Sequence, residues 1–281
     1  ESAFSVEAVT KQFYQDYKGL FEKLTKELDH ILEKDNKTKK EFENRSIDTA
    51  NFAKKLLGQI VFLYFLQKKG WLGVPRDERW GQGDKRFLGT LFKRCMTEGG
   101  NFFNDYLEYL FYEALATTEG RATIDLSYYP KFDCKIPFLN GGLFEAIYDW
   151  ENTYILLPDE LFSNSEKTKT GDTGTGILDV FDRYNFTVKE DEPLEKEVAV
   201  DPEMLGKVFE NLLPENLRKG KGTYYTPREI VHYMCRESLI NYLDTAVNSS
   251  SVPPLVKGGK GGFLRIPRKD IENFIHKGEL A

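Results

Sequence analysis

The residues best placed to do chemistry lie in the run Gly222-Thr-Tyr-Tyr-Thr-Pro-Arg-Glu-Ile230. Thr226 fits a helix N-cap, Pro227 fits the first helical position, and Glu229 stands three residues after Thr226, the spacing of a capping box. A helix opening there presents free backbone N–H groups and a partial positive charge, which suit an anionic group such as a carboxylate. Such caps also open helices that bind nothing, so the run by itself specifies a helix start first and a ligand second.

Other candidate chemistry is weaker. Basic clusters at Lys54-Lys55, Lys68-Lys69, Arg218-Lys219 with Lys221, and Lys257, Lys260, Arg265, Arg268 and Lys269 could meet phosphates. Arg218, Lys219 and Lys221 are the foremost DNA-contact candidates because they flank the Thr226 corner. A metal-dependent nuclease needs clustered carboxylates and a lysine to hold Mg²⁺ and activate water. Pro158-Asp159 followed by Glu166 and Lys167 supplies those letters, but its second half falls in a Ser/Thr/Gly-rich loop. His30, His232, His276 and the three cysteines have no zinc-ligand spacing, so no metal is expected. His232 reads as a surface or boundary residue.

These residues must be positioned by a mainly α fold. Residues 5–34 place Val9, Phe13, Tyr17, Leu20, Leu24, Leu28 and Ile31 at three- and four-residue spacings, which predicts a long amphipathic helix. A polar break over 34–40 ends it. A second helix starts near Ser46 or Asp48 and runs to Gly70, apolar on more than one face around 57–66, as suits a central core helix. Residues 73–86 read as a loop, and helical spacing resumes over 87–96 and 102–115. Prolines and a Gly141-Gly142 turn punctuate 124–157, with a short strand expected at 154–157. The run 163–176 reads as a polar, mobile loop.

Further on, 177–184 is helical, 189–197 is an acidic connector, and 204–213 is a short apolar helix. A helical stripe of Val231, Met234, Cys235, Leu239 and Tyr242 follows. Residues 249–262 resemble a low-complexity, mobile insertion, and a last helix is expected over 270–276.

Composition narrows the classes. Of 281 residues, 40% are hydrophobic and 14% aromatic, enough for a packed core and against a wholly disordered chain. No apolar run approaches the ~20 residues needed to span a bilayer, so no membrane partner is expected. The net charge of −6 argues against nucleic-acid binding by bulk charge, though not against a basic stripe. Cys95, Cys134 and Cys235 form no framework, which fits reduced thiols and a cytoplasmic location. The first residues resemble no secretory signal, and the missing initial Met suggests a piece cut from a longer chain.

Asp201-Pro-Glu-Met-Leu-Gly-Lys-Val-Phe-Glu-Asn-Leu-Leu213, followed by Lys221-Gly-Thr-Tyr-Tyr-Thr-Pro227, resembles the bifunctional type IIG restriction–modification enzymes, in which a nuclease is fused to an adenine-N6 DNA methyltransferase. The segments 56–71 (LLGQIVFLYFLQKKGW) and 136–145 (IPFLNGGLFE) are similar to the helical segment joining the two activities in that family. The resemblance implies a helical connector over 1–200 with a few short strands. It then implies the start of an α/β methyltransferase domain over 201–248, and an insertion with a short helix over 249–281.

The same resemblance matches the GxYYTP segment to methyltransferase motif X, which opens that domain. Thr226 and Pro227 would approach the methionine part of S-adenosylmethionine, Tyr224 and Tyr225 would line the same corner, and Gly222 would turn the backbone into it. The family's donor-binding loop and catalytic Asn-Pro-Pro-Tyr should follow motif X, and neither occurs in this sequence. Asp172-Thr-Gly-Thr-Gly176 has a DxGxG spacing but precedes Tyr224 and reads as an ordinary loop. Val252-Pro-Pro-Leu255 lacks the amide and the aromatic that would hold a flipped adenine. No catalytic residue is therefore expected in the chain, which alone should be inactive. Double-stranded DNA is the implied partner, with Mg²⁺ needed only if the parent's nuclease is active. A helical scaffold or a DNA-binding specificity module remains the alternative, and the oligomeric state is open.

Overall fold

A computed structural model describes residues 2–118, 125–139, 142–168, 171–186, 199–200, 206, 228–248 and 266–279. The chain divides into two compact units, residues 1–205 and 206–281.

The first unit is built on helices. α1 (Ser2–Lys34) and α3 (Thr49–Lys68) pack side by side, with Phe13, Tyr17, Leu20, Leu24 and Leu28 of α1 buried at the predicted spacing. Asp48 caps α3 by accepting Ala50 N–H at 2.6 Å. Nearly every apolar side chain from Phe52 to Leu66 is buried, as expected of a core helix. The polar stretch after α1 does not stay a break: Asp35 accepts Lys37 N–H at 2.9 Å and Thr38 Oγ1 at 2.5 Å and so starts α2 (Asn36–Asn44). Only Thr38 and Phe42 of α2 are buried, so no apolar period announced it.

α4 (Phe87–Glu98) ends at Gly99, whose φ of 76° supplies the left-handed cap. The helical spacing over 102–115 takes π form, as π1 (Phe102–Leu107) and π2 (Tyr109–Leu115), joined at Glu108. A helix apolar all round belongs in a core. This one is buried at Phe102, Phe103, Tyr106, Leu107, Leu110, Phe111, Tyr112, Ala114 and Leu115. It shares the centre of the unit with α3 through the Phe52–Phe103 ring contact.

Strands are minimal. β1 (Tyr128–Tyr129) pairs antiparallel with β2 (Cys134–Lys135), placing Tyr129 opposite Cys134. β3 (Asn185–Phe186) pairs parallel with β4 (Ala199–Val200). The strand expected at 154–157 is a correction. Ile155 and Leu157 are fully buried while Tyr154 and Leu156 are about 60% exposed, so the side chains alternate, but among the described residues no strand pairs with them. Among the described residues there is no doubly wound parallel sheet.

The run 163–176 leads into α5 (Ile177–Phe181) and is tied down in its described part. The Asp179 carboxylate accepts Ser163 Oγ at 2.6 Å, Asn164 N–H at 2.9 Å and Gly176 N–H at 3.0 Å. Gly174 (φ 89°) and Gly176 have no room for a Cβ, which would meet Asp179 or the Phe162 backbone at 2.4 Å. The Asp172–Gly176 near miss is thus a structural turn. The basis for expecting an untethered loop, its polar composition, is what supplies these hydrogen bonds.

The second unit shows two packed helices, α6 (Arg228–Asn248) and α7 (Arg268–Glu279), around Ile240, Ile271 and Ile275. Arg268 reinforces the pair by donating to Asn241 Oδ1 at 2.6 Å and meeting Glu237 at 3.2 Å. The helix expected from the 231–242 stripe is present, but Val231, Met234, Cys235, Leu239 and Tyr242 are all exposed, and the buried residue is Ile240. No described helix is long and apolar enough to cross a membrane.

Candidate functional site

The residues assigned to the methyl donor (Gly222, Tyr224, Tyr225, Thr226 and Pro227) and the foremost DNA-contact candidates (Arg218, Lys219 and Lys221) lie outside the described residues. So do the acidic connector 189–197, the apolar segment 204–213 apart from Gly206, and the run 249–262. α6 begins at Arg228, immediately after Pro227, and His232 on its first turns is exposed.

The nuclease letters resolve into structural roles. Asp159 accepts Phe102 N–H at 2.7 Å and so satisfies a free donor at the start of π1. Glu166 accepts Thr175 Oγ1 at 2.8 Å, and Lys167 bridges antiparallel to Thr173. Among the described residues no group of three or more His, Cys, Asp or Glu is arranged to hold a metal ion. Cys134 is buried, which pushes its thiol up to about 12 and keeps it a poor nucleophile.

The most perturbed carboxyl in the first unit is Glu108, at the junction of π1 and π2 and 1% exposed. Burial pushes it up to about 8, against the opposing effect of the Tyr148 hydroxyl that donates to it. Tyr148 is in turn hydrogen-bonded to Tyr112, and Tyr112 to Gln59, whose Nε2 also donates to Leu143 O at 2.9 Å. A raised carboxyl in a cleft would suggest an acid catalyst. This one accepts the Tyr148 hydroxyl, whose ring packs on Phe52 and Tyr112, and it also borders a pocket of about 220 Å³ lined by Tyr109, Glu113, Glu151 and Tyr154.

The basic clusters separate by environment. Lys54 lies 5.7 Å from the Phe21 ring centroid, and Lys55 donates to Gly142 O at 3.0 Å. Burial lowers the Lys55 pKa, with Glu145 opposing, so Lys55 ties down a loop while Lys54 lies on α1, and both are half-buried. Lys68 is exposed, and the fold brings it together with Lys85 and Arg86 around one pocket of about 230 Å³. The sequence reading did not group these three. The signal available was only that Lys85-Arg86 end a Gly-rich loop that starts just after Lys68-Lys69.

The sequence is similar to a Methanocaldococcus jannaschii protein whose name, itself provisional, is type II restriction enzyme and methyltransferase. The two are 33% identical over 252 residues, covering 83% of this chain. The chain spans only 19% of that protein's length. No protein-family profile matches the sequence, and no solved structure matches it.

Proposed function

We propose that this chain is part of a site-specific, S-adenosylmethionine-dependent adenine-N6 DNA methyltransferase of a restriction–modification system. Residues 1–200 form the helical connector between nuclease and methylase, 201–248 begin the methylase domain, and 249–281 form an insertion with a short helix. The observation that carries this reading is the 33% identity over 252 residues to a protein named for both activities, in a chain that also holds the ordered connector and motif X segments. The exposed apolar side chains of α6 support it too, as they suit a helix whose domain is completed by further chain.

In this reading Thr226 and the N–H groups behind it hold the carboxylate of the methyl donor, and Gly222, Tyr224 and Tyr225 shape the same corner. S-adenosylmethionine supplies the electrophilic methyl group, and the adenine must leave the duplex stack to reach it. The chain's own contribution is half of a donor site together with fixed spacing. Mg²⁺ belongs to the nuclease portion alone.

Calorimetry tests the reading. A charge-assisted hydrogen bond contributes about 1.5–3 kcal/mol, less than the cost of ordering a flexible ligand together with its lost freedom. The 281-residue chain should therefore show no donor binding below about millimolar concentration, whereas the whole protein binds in the micromolar range. Thr226→Ala in the whole protein should weaken donor binding. Tight binding by the chain alone would place the donor site elsewhere, and unchanged affinity in Thr226→Ala would reduce motif X here to a helix cap.

A further inference from the structure

Lys68, Lys85 and Arg86 converge on the pocket at the end of α3, and their convergence is built rather than incidental. Gly70 (φ 68°) turns the chain out of α3, and its carbonyl accepts both Gly81 N–H at 3.0 Å and Gly83 N–H at 2.9 Å. That clasp folds the 70–84 loop back on itself, so the residues that follow it arrive beside the helix they left. Asp84 then fixes the arrival, accepting Arg86 N–H at 2.8 Å and Thr90 Oγ1 at 2.6 Å. A Cβ at Gly70 would meet Gly81 O at 2.3 Å, so the clasp depends on glycine.

The lining is rich in donors and poor in acceptors. Among the described residues none of the three cations forms an ion pair. The lining carboxylate, Asp182, accepts the Tyr64 hydroxyl at 2.8 Å and also feels the Arg86 charge, which leaves two of the three cations without a carboxylate in the lining. Gln67 is 3% exposed, and its Oε1 accepts Leu88 N–H at 3.1 Å, so the amide group it has left to offer is a donor. Asn185 adds a second side-chain amide to the lining. Two further pockets differ: one pairs Arg94 and Lys131 with Glu98 and Asp105, and one carries Glu108, Glu113 and Glu151 with no cation in its lining. Three cations against one carboxylate, with amide donors beside them, in a protein of net charge −6, make a local site for a compact oxyanion.

We propose that this pocket seats a phosphate group, supplied by the backbone of duplex DNA. The source of the phosphate rests on the restriction–modification reading above, while the pocket's chemistry does not. A contact of this kind positions the connector on the duplex and carries no sequence information. It also releases counterions, so it contributes a defined increment to the salt dependence of binding.

The test uses the full chain, a fluorescent duplex and anisotropy over about 50–300 mM salt. The triple variant Lys68→Gln/Lys85→Gln/Arg86→Gln should make the slope of log K against log salt shallower by about 1, the value of one lost phosphate contact. Its thermal unfolding should match that of the unaltered chain, because none of the three side chains is buried. Lys11→Gln/Lys26→Gln/Lys34→Gln, which removes the same charge from exposed positions of α1, should leave the slope unchanged. An unchanged slope in the pocket variant, or equal changes in both triples, overturns the proposal. If the unaltered chain binds no duplex, the DNA reading fails and inorganic phosphate decides the pocket. Phosphate binding that is lost in the pocket triple keeps the oxyanion site, and no phosphate binding by the unaltered chain removes it.

Discussion

Glu108 gives the sharpest quantitative test of the first unit's core. Its carboxyl is buried to 1% exposure and pushed from 4.5 up to about 8, with burial as the cause. The folded state therefore holds a proton that the unfolded chain releases at lower pH. Stability is greatest below the unfolded value and falls as pH rises towards the folded one. Each unit of separation corresponds to about 1.4 kcal/mol, so the site costs the fold about 2 kcal/mol between pH 6 and pH 8. Glu108→Gln keeps the shape and an acceptor for the Tyr148 hydroxyl but cannot ionise. Urea unfolding of both proteins from pH 6 to pH 9 is the assay. The difference in stability, variant minus unaltered chain, should rise by about 2 kcal/mol from pH 6 to pH 8 and level off above the folded value. Other titrating groups are common to both proteins and cancel in that difference. Parallel stability curves would show that Glu108 is ionised and solvated in the folded state, and that the buried network with Tyr148, Tyr112 and Gln59 is wrong.

Three further outcomes follow from named contacts. Asp179→Ala leaves Gly176 N–H, Asn164 N–H and Ser163 Oγ without their acceptor. It should cost about 2 kcal/mol in denaturant unfolding and speed proteolysis within 163–176, and no change in either would make that run the untethered loop its composition suggests. Gly70→Ala places a Cβ 2.3 Å from Gly81 O and a side chain at positive φ. A melting temperature lowered by several degrees is expected, since the left-handed conformation alone costs about 1–2 kcal/mol. In the second unit, Ile240→Ala should cost about 2–5 kcal/mol. Met234→Ala, 59% exposed in α6, should change stability by less than about 0.5 kcal/mol. Equal effects at both positions would place the stripe in the core as well.

Long helices were the legible part of this fold. α1, α3 and α4 carry sustained 3.6-residue periods because each presents one face, or in α3 more than one, to the same core. α2 carries no such period, and its origin is local: Asp35 and Thr38 satisfy its first turn while only Phe42 anchors it among rings. Periodicity over 102–115 marked a helix but could not distinguish π from α form, since both bury a continuous apolar surface. The two-residue strands are too short for alternation to register, whereas 154–157 alternates and has no partner strand among the described residues; a ladder is a tertiary fact. On α6 the spacing was helical, but the residues it marks are exposed and Ile240 is buried. The phosphate pocket was beyond reach from sequence, because its walls come from α3, the loop before α4, and β3. The Gly70 clasp and the Gln67–Leu88 hydrogen bond bring the first two together.

Five carboxylates of the first unit hold structural contacts. Asp159 serves the start of π1, Asp105 accepts Asn101 N–H at 2.7 Å, Asp84 fixes the approach to α4, Asp179 closes the 163–176 turn, and Glu108 accepts the Tyr148 hydroxyl. Each satisfies a backbone donor or a buried hydroxyl that would otherwise be left without a partner, at a cost of about 1–3 kcal/mol. The cations around Lys68 are the reverse case, exposed and without ion-pair partners among the described residues, and their removal should leave the fold intact. Under the phosphate-site proposal, the cations at the edge of this unit hold the duplex backbone while these carboxylates support the fold. Substituting the carboxylates should therefore reduce any activity of the whole protein only in step with its stability, whereas substituting the cations should reduce duplex binding with stability unchanged.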